Sequence, residues 1–410
     1  MGIYRDLSRS PGVFRILFAQ LTARFPFGML SIIMLLHIQS AYGDYTSAGI
    51  VLAAQSVGQA VSGPLSSRLM GRLGMRRVLS VTSFSCAALL VTIAFTQLPI
   101  AVVATLAVLV GLTTPPITPA VRTIYPKLVP GTQLAGLFSL DAAAQELIWV
   151  AGPVVAVFVT SQFGTAIGLS TAAAFMVLGG AWFILSPELS RLSLPRARGN
   201  LGAVLGRPTV VISTVIGFFF VAAFAAIEAG IVAAFSSGHG GGHGESSMEA
   251  GLVLAVFAAG SLVGGLVLGH RTMRPWSILL RVLIVVVGTA LCLVSLNIWW
   301  LCLVLFLGGI GTAPTFAALS NVVSSTVKFS ETAEAYGWVG TGQLIGVAAG
   351  SALAGIAIDA AGARGAILVS TALILVCALV AAVTIRWIPD LKGRGIEPLP
   401  ETGTVTIPLP

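Results

Sequence analysis

Charge is scarce in this sequence. Asp, Glu, Lys and Arg together make up 9% of its 410 residues, where a soluble globular protein carries roughly 25%. A chain this poor in charge cannot cover a water-facing surface, which excludes a soluble domain of ordinary composition. Cysteine is scarce too. Cys86, Cys292, Cys302 and Cys377 all fall inside apolar stretches without paired spacing, so they read as small core hydrophobes rather than a disulfide framework or a metal site. No glycine-rich loop ending in Lys-Ser/Thr occurs, which argues against a nucleotide-driven machine. No nucleophile–base constellation stands out, and polar catalytic groups do not cluster near one end of the apolar stretches as an enzyme embedded in lipid would require.

What the chain has in abundance is apolar residues, 56% of the total, in runs of about 20, each long enough to cross a hydrocarbon core of ~30 Å as a helix. Twelve such helices are predicted, near 13–39, 47–69, 78–97, 101–124, 134–162, 165–185, 208–235, 248–269, 277–296, 299–321, 335–359 and 364–388. The basic segment Met1 to Arg15 precedes the first without a small-residue cleavage site, so that helix is expected to be retained.

The net charge of +8 does not point to nucleic acid, because the positive residues sit in short loops between apolar spans. With the N-terminus inside, twenty of the twenty-two Lys and Arg fall on the cytoplasmic side or at that end of a helix; Arg364 falls outside and Arg24 within helix 1. One missed or invented span would scramble this alternation.

The chain also repeats itself. Residues 48–52 (Ala-Gly-Ile-Val-Leu) resemble 250–254 (Ala-Gly-Leu-Val-Leu), an offset of 202 that also aligns Gly58 with Gly260, Gly63 with Gly265 and Arg72 with Arg274. Later the offset is 198, aligning Pro116 with Pro314, Gln145 with Gln343, Gly152 with Gly350 and Gly164 with Gly362. Six helices separate the copies, so both halves enter the membrane from the same side. The expected organisation is a cytoplasmic N-terminus (1–12), a six-helix half (13–185), a polar linker (186–207), a second six-helix half (208–388) and a disordered cytoplasmic tail (389–410).

Twelve helices in two parallel six-helix halves, with a basic central loop, resemble the major facilitator superfamily, an all-α membrane fold. The superfamily places a Gly and then an Asp-Arg-x-Gly-x-Arg-Arg-like run between helices 2 and 3. Here Gly63, Arg72, Gly74, Arg76 and Arg77 match, while Gly71 stands where the acid is expected. Gly152-Pro153 resembles the helix 5 motif associated with exporters and antiporters, with valine and alanine in place of its following glycines. The resemblance implies a secondary transporter working by alternating access and coupled to protons, with efflux favoured by the helix 5 motif and uptake of a small metabolite as the alternative. The cavity residues are mostly apolar, with Phe, Met and Trp available, which suits a small amphiphilic substrate better than a sugar; the proton gradient with no cofactor, membrane lipid around a monomer and no nucleic-acid partner are expected. A receptor or scaffold that transports nothing is a more remote reading. Arg outnumbers Lys nineteen to three and Ala, Gly and Val abound, which suggests a GC-rich bacterium and its plasma membrane.

Charges inside the spans are the candidate working residues. Arg24 near the middle of helix 1 costs roughly 2.5–3.5 kcal/mol to insert and must face a partner or water. Glu146 in helix 5, Glu228 in helix 7 and Asp141, over one turn nearer the cytoplasm than Glu146, are the candidate carboxyls. Two readings stay open: a fixed ion pair such as Arg24 with Glu146, or a carboxyl that alternates between a desolvated state and pairing with Arg24 and so carries a proton. Glu146 is the first candidate carrier and Glu228 the second, the latter expected opposite Arg24 at similar depth. Gln20, Gln55, Gln59, Gln145 and Gln343 are candidate polar cavity contacts, each also readable as a helix–helix hydrogen bond. His239, His243 and Glu245 have a His-x-x-x-His spacing, but the surrounding glycines favour a solvated external loop over a metal site.

Overall fold

A computed structural model describes residues 7, 9–190, 201–236, 243–269, 271, 273–391 and 397–400. The chain is helical almost throughout. In order, α1 is Val13–Tyr42, α2 Tyr45–Leu73, α3 Met75–Phe95, α4 the two segments Ile100–Leu112 and Ile117–Leu128, α5 Gly131–Phe163 and α6 Thr165–Ile184. The second half has α7 Pro208–Ser236, α8 His243–Leu268, α9 Ser277–Leu291 and α10 in the two segments Ile298–Gly309 and Thr312–Thr326. The stretch Phe329–Val383 is two helices, α11 and α12, folded at Ala361 and Gly362. Among the described residues nine continuous helical stretches are long and apolar enough to cross a membrane. The fold has twelve because the last stretch holds two, α9 is short, and α2 crosses with its arginines gathered at one end. Exposed apolar side chains such as Leu178 (69%) and Trp299 (75%) belong to a surface solvated by lipid.

The repeat seen in the sequence is visible in the backbone. α4 breaks between Leu112 and Ile117, and α10 breaks between Gly309 and Thr312, with the aligned prolines 116 and 314 at the two breaks. Paired interruptions in the two halves are what an internally repeated transporter presents at its centre. The α5–α6 and α11–α12 turns rest on the aligned glycines Gly164 (φ +89°) and Gly362 (φ +63°), a region where a Cβ would be strained.

The first half is held by α1 on α5 and α6, α2 on α4, and α3 on α6; the second by α7 on α11–α12, α8 on α10, and α9 on α10 and α12. The glycine stripe of α11 serves this packing inside one half. A Cβ on Gly342, Gly346 or Gly350 would run into the α7 segment at Thr214, Phe218 or Ala222. Gly152 likewise packs on Gly28 of α1, so the Gly-Pro of α5 marks the α1–α5 crossing.

Two expected loops are partly built into the fold. Helix α8 begins at His243, within the expected external loop, while His239 lies outside the described residues. In the segment expected to be disordered, Leu391 N–H donates to Met273 O at 3.0 Å and Leu399 N–H to Val327 O at 2.9 Å. Both bonds pin the described parts of the tail against loops at the basic end.

Candidate functional site

The centre of the first half is a buried polar cluster assembled from three helices. On α1, Gln20 and Arg24 are four residues apart and share a face; on α5, Asp141 and Gln145 do the same. The two pairs meet. Arg24 Nη1 donates to Asp141 Oδ1 at 2.9 Å and to Gln20 Oε1 at 2.6 Å, and its Nη2 donates to Gln145 Oε1 at 2.5 Å. Gln20 Nε2 donates to Asp141 Oδ1 at 3.1 Å, and the Tyr125 hydroxyl of α4 donates to the same oxygen at 3.0 Å. Arg24 is 2% exposed and Asp141 0%, so this is a fully desolvated ion pair whose extra hydrogen bonds offset its burial. A second arginine, Arg122 of α4, brings Nε to 3.6 Å from Asp141 Oδ2, and neither of those two atoms makes a hydrogen bond.

Glu146 therefore does not neutralise Arg24. It follows Gln145 directly and so points about 100° around the α5 axis, away from α1 and toward the second half. There it is buried with the Ser261 side chain of α8 against its carboxyl, and it forms no ion pair among the described residues. Ser261 in turn accepts the Ala313 N–H at 3.1 Å, at the break of α10. Glu228 is exposed on α7 and likewise unpaired with Arg24. Arg24 pairs with Asp141 rather than with Glu146 because the face of α5 that meets α1 runs through 141, 145, 148 and 152.

The other polar candidates divide. Gln20 and Gln145 belong to the charge cluster. Gln55 is buried with its Oε1 unpartnered, and the α2 backbone at Gln55 and Gln59 lies against Gly111 of α4. Gln343 packs its amide against Gly217 of α7. His37 is structural, between Thr165 Oγ1 at 3.0 Å and Ile93 O at 3.2 Å.

The halves meet at the end that carries the basic loops. Gly63 and Gly337 let α2 and α11 touch through backbone: a Cβ on Gly337 would lie 2.7 Å from Gly63 O. Thr341 Oγ1 donates to Ala60 O at 2.9 Å on the same seam. Across the molecule the Ser139 hydroxyl of α5 donates to Gly265 O of α8. Gly63 and Gly265 are repeat partners, as are Ser139 and Gly337, so the two seams are related by the internal symmetry. One ion pair breaks that symmetry. Arg68 Nη1 of α2 donates to Glu334 Oε2 of α11 at 3.1 Å, both side chains buried, while the Gly202 N–H of the linker donates to Glu334 Oε1 at 2.7 Å.

The acid missing at Gly71 predicts either an inner side that closes less firmly or another brace, and the sequence alone does not single out Glu334. The predicted helix began at 335, which left this acid in a loop. Of the loop motif, Arg72, Gly74, Arg76 and Arg77 are exposed, and Arg76 reaches Ser186 O at 3.5 Å. With Arg68–Glu334 already in place, Gly71→Asp is expected to fold and reach the membrane normally and to change the transport rate by about severalfold or less, as a half-exposed surface change should. Membrane yield and initial rates in vesicles check it; loss of the folded protein would mean that position 71 is tightly packed.

Two six-helix halves, a buried polar cluster toward the basic end and a closed seam at that end are the architecture of a secondary transporter. The sequence profile of the Major Facilitator Superfamily matches residues 16–296 and 218–409, and the chain belongs to that superfamily. It is 29% identical over 221 residues to the MFS-type transporter y4rN of Sinorhizobium fredii (strain NBRC 101917 / NGR234), spanning 54% of that protein's length. Among solved structures it resembles the proton:xylose symporter XylE (TM-score 0.71, 12% identity, 94% of this chain and 97% of that one). It also resembles the E. coli fucose:proton symporter FucP (TM-score 0.68, 16% identity, 90% and 97%) and the human organic anion transporter MFSD10 (TM-score 0.66, 15% identity, 90% and 98%). At these identities the likeness is one of fold.

Proposed function

We propose that this transporter exports a small amphiphilic molecule in exchange for protons, with Glu146 as the proton-carrying carboxyl. The observation that carries the reading is the separation of duties on α5. Asp141 neutralises Arg24 inside the first half, while Glu146 stands buried in the seam between the halves with a hydroxyl and, among the described residues, no cation paired to it. An intramembrane carboxyl without a counterion is a functional candidate by default, and at the seam its surroundings change whenever the halves rock. Glu228, exposed on the α7 wall, is the second candidate. The Gly152-Pro153 resemblance to exporters supports efflux. Proton-driven uptake is the alternative, and the fold neighbours XylE and FucP are proton symporters by name. Proteoliposomes under an imposed pH gradient, loaded with a panel of amphiphilic compounds, test both directions. Substrate movement indifferent to the gradient in either direction would remove proton coupling.

We further propose that the protein is a plasma-membrane monomer with its basic end in the cytoplasm, on the strength of the positive-inside distribution. Gln97 is exposed between α3 and α4, at the opposite end. Gln97→Cys in a cysteine-free background is expected to react with an impermeant maleimide in intact cells; reaction only after permeabilisation would reverse the orientation.

A further inference from the structure

The charge cluster of the first half touches the second half through Arg122 and Tyr336. Arg122 has two neighbours. On one side is Asp141, whose Oδ1 receives three donors (Arg24, Gln20 and Tyr125) and whose Oδ2 receives none, although Arg122 Nε is only 3.6 Å away. On the other side is the ring of Tyr336 on α11, 5.8 Å from the guanidinium carbon and within cation–π range. Tyr336 is fixed by its own half, since its hydroxyl donates to Ser320 O at 2.8 Å. It also meets its repeat partner Phe138 across the interface at 6.4 Å between ring centres, and Phe138 packs edge-on against Tyr125 at 5.5 Å. The repeat partners of Arg24, Asp141 and Arg122 are Ala226, Val339 and Ser320, so the second half answers the charge cluster with one aromatic ring and no charge.

We propose that Tyr336 is a positioning residue of the transport cycle. With the basic end closed it holds Arg122 short of a full ion pair with Asp141; when α11 withdraws, Arg122 closes on Asp141 Oδ2 and competes with Arg24 for that carboxylate. Closure of the basic end is thereby transmitted to the buried Arg24 pair, by exchange of the partners of one arginine. A carboxylate has room for this exchange, because each oxygen accepts about two hydrogen bonds and Oδ2 is vacant. The inference rests on the two-half rocking mechanism alone. Its failure would leave proton carriage by Glu146 untouched, because the two are read by different assays.

The test uses the full chain with its four cysteines replaced and Ser67→Cys as reporter. Ser67 is buried in the closed α2–α11 seam, with its hydroxyl facing Gly337. The rate of alkylation by an impermeant maleimide supplied at the basic face reports opening. Tyr336→Leu is expected to raise that rate on the order of tenfold, as a shift of the closed–open equilibrium. Arg122→Gln should raise it to a similar extent, and the double variant no further, which is the signature of two residues acting through one contact. Tyr336→Phe keeps the ring and should stay within about twofold of the parent. Independent, multiplying effects of the two substitutions, or a Tyr336→Phe variant as open as Tyr336→Leu, would overturn the proposal. Should Tyr336→Leu fail to fold, Tyr336→Met completes the same cycle with Arg122→Gln.

Discussion

Asp141→Asn is expected to be the most damaging single change in the first half. The substitution keeps the shape of the side chain and removes the only carboxylate of a cluster that holds Arg24 and Arg122. Arg24 has no route to water, being sealed among Gln20, Gln145 and Asp141. Removing one partner of a buried pair leaves an uncompensated charge, at a cost of about 3–5 kcal/mol. That is a large part of the stability of an ordinary domain. The folded, monodisperse protein recovered in mild detergent should fall sharply and its apparent Tm should drop. Arg24→Gln added to Asp141→Asn should recover much of the loss, since it removes the stranded cation as well. An Asp141→Asn protein as stable as the parent would mean that water or a neighbouring carboxyl reaches Arg24.

Glu146→Gln is expected to behave in the opposite way. Arg24 is already neutralised by Asp141, so the change strands no cation, and the amide can keep a hydrogen bond to Ser261. Folding should be near parental, within about 1 kcal/mol, as for changes that leave buried polar groups paired. The amide mimics a permanently protonated carboxyl, so the protein should still bind substrate and exchange it across the membrane. It should lose proton-driven accumulation almost entirely. Counterflow and pH-gradient-driven transport, measured on the same proteoliposomes, separate the two activities. A variant that still transports uphill removes Glu146 from the role and passes the test to Glu228.

The contrast between these two carboxyls, five residues apart, marks where sequence reading stopped. The spans are legible because lipid imposes a length and loops impose a charge, and the aligned glycines 164 and 362 and prolines 116 and 314 show the repeat in the sequence itself. Which carboxyl meets Arg24 depends on the rotation of α5 about its axis, and average hydropathy is blind to that. A finer signal was present: Gln20 with Arg24, and Asp141 with Gln145, are both four-residue pairs that must share a face. The Arg68–Glu334 pair was hidden for another reason. Its partners are far apart in the chain, and the hydropathy pattern places Arg68 at the last turn of helix 2 and Glu334 just outside helix 11, because helix ends are the least certain feature of such a profile. Arg122 and Tyr336 were hidden likewise, because their contact exists only when two halves close on each other.

The Arg68–Glu334 pair has a mechanical consequence. Its repeat-related positions are His270 and Gly136, and glycine has no side chain to repeat the pair; among the described residues no ion pair crosses the second seam. The α2–α11 edge carries a buried ion pair, a linker bond and the Thr341 hydrogen bond, whereas the bonds described on the α5–α8 edge, Ser139 to Gly265 and Glu146 to Ser261, are hydrogen bonds without a cation. Under a separating force the weaker edge parts first, and a spin-label pair across α5–α8 should lengthen before one across α2–α11. A gap along α5–α8 is then expected before the α2–α11 seam that holds Ser67 opens in its turn. The first crevice to open runs along the wall where Glu146 faces Ser261, so cargo and proton would share one doorway.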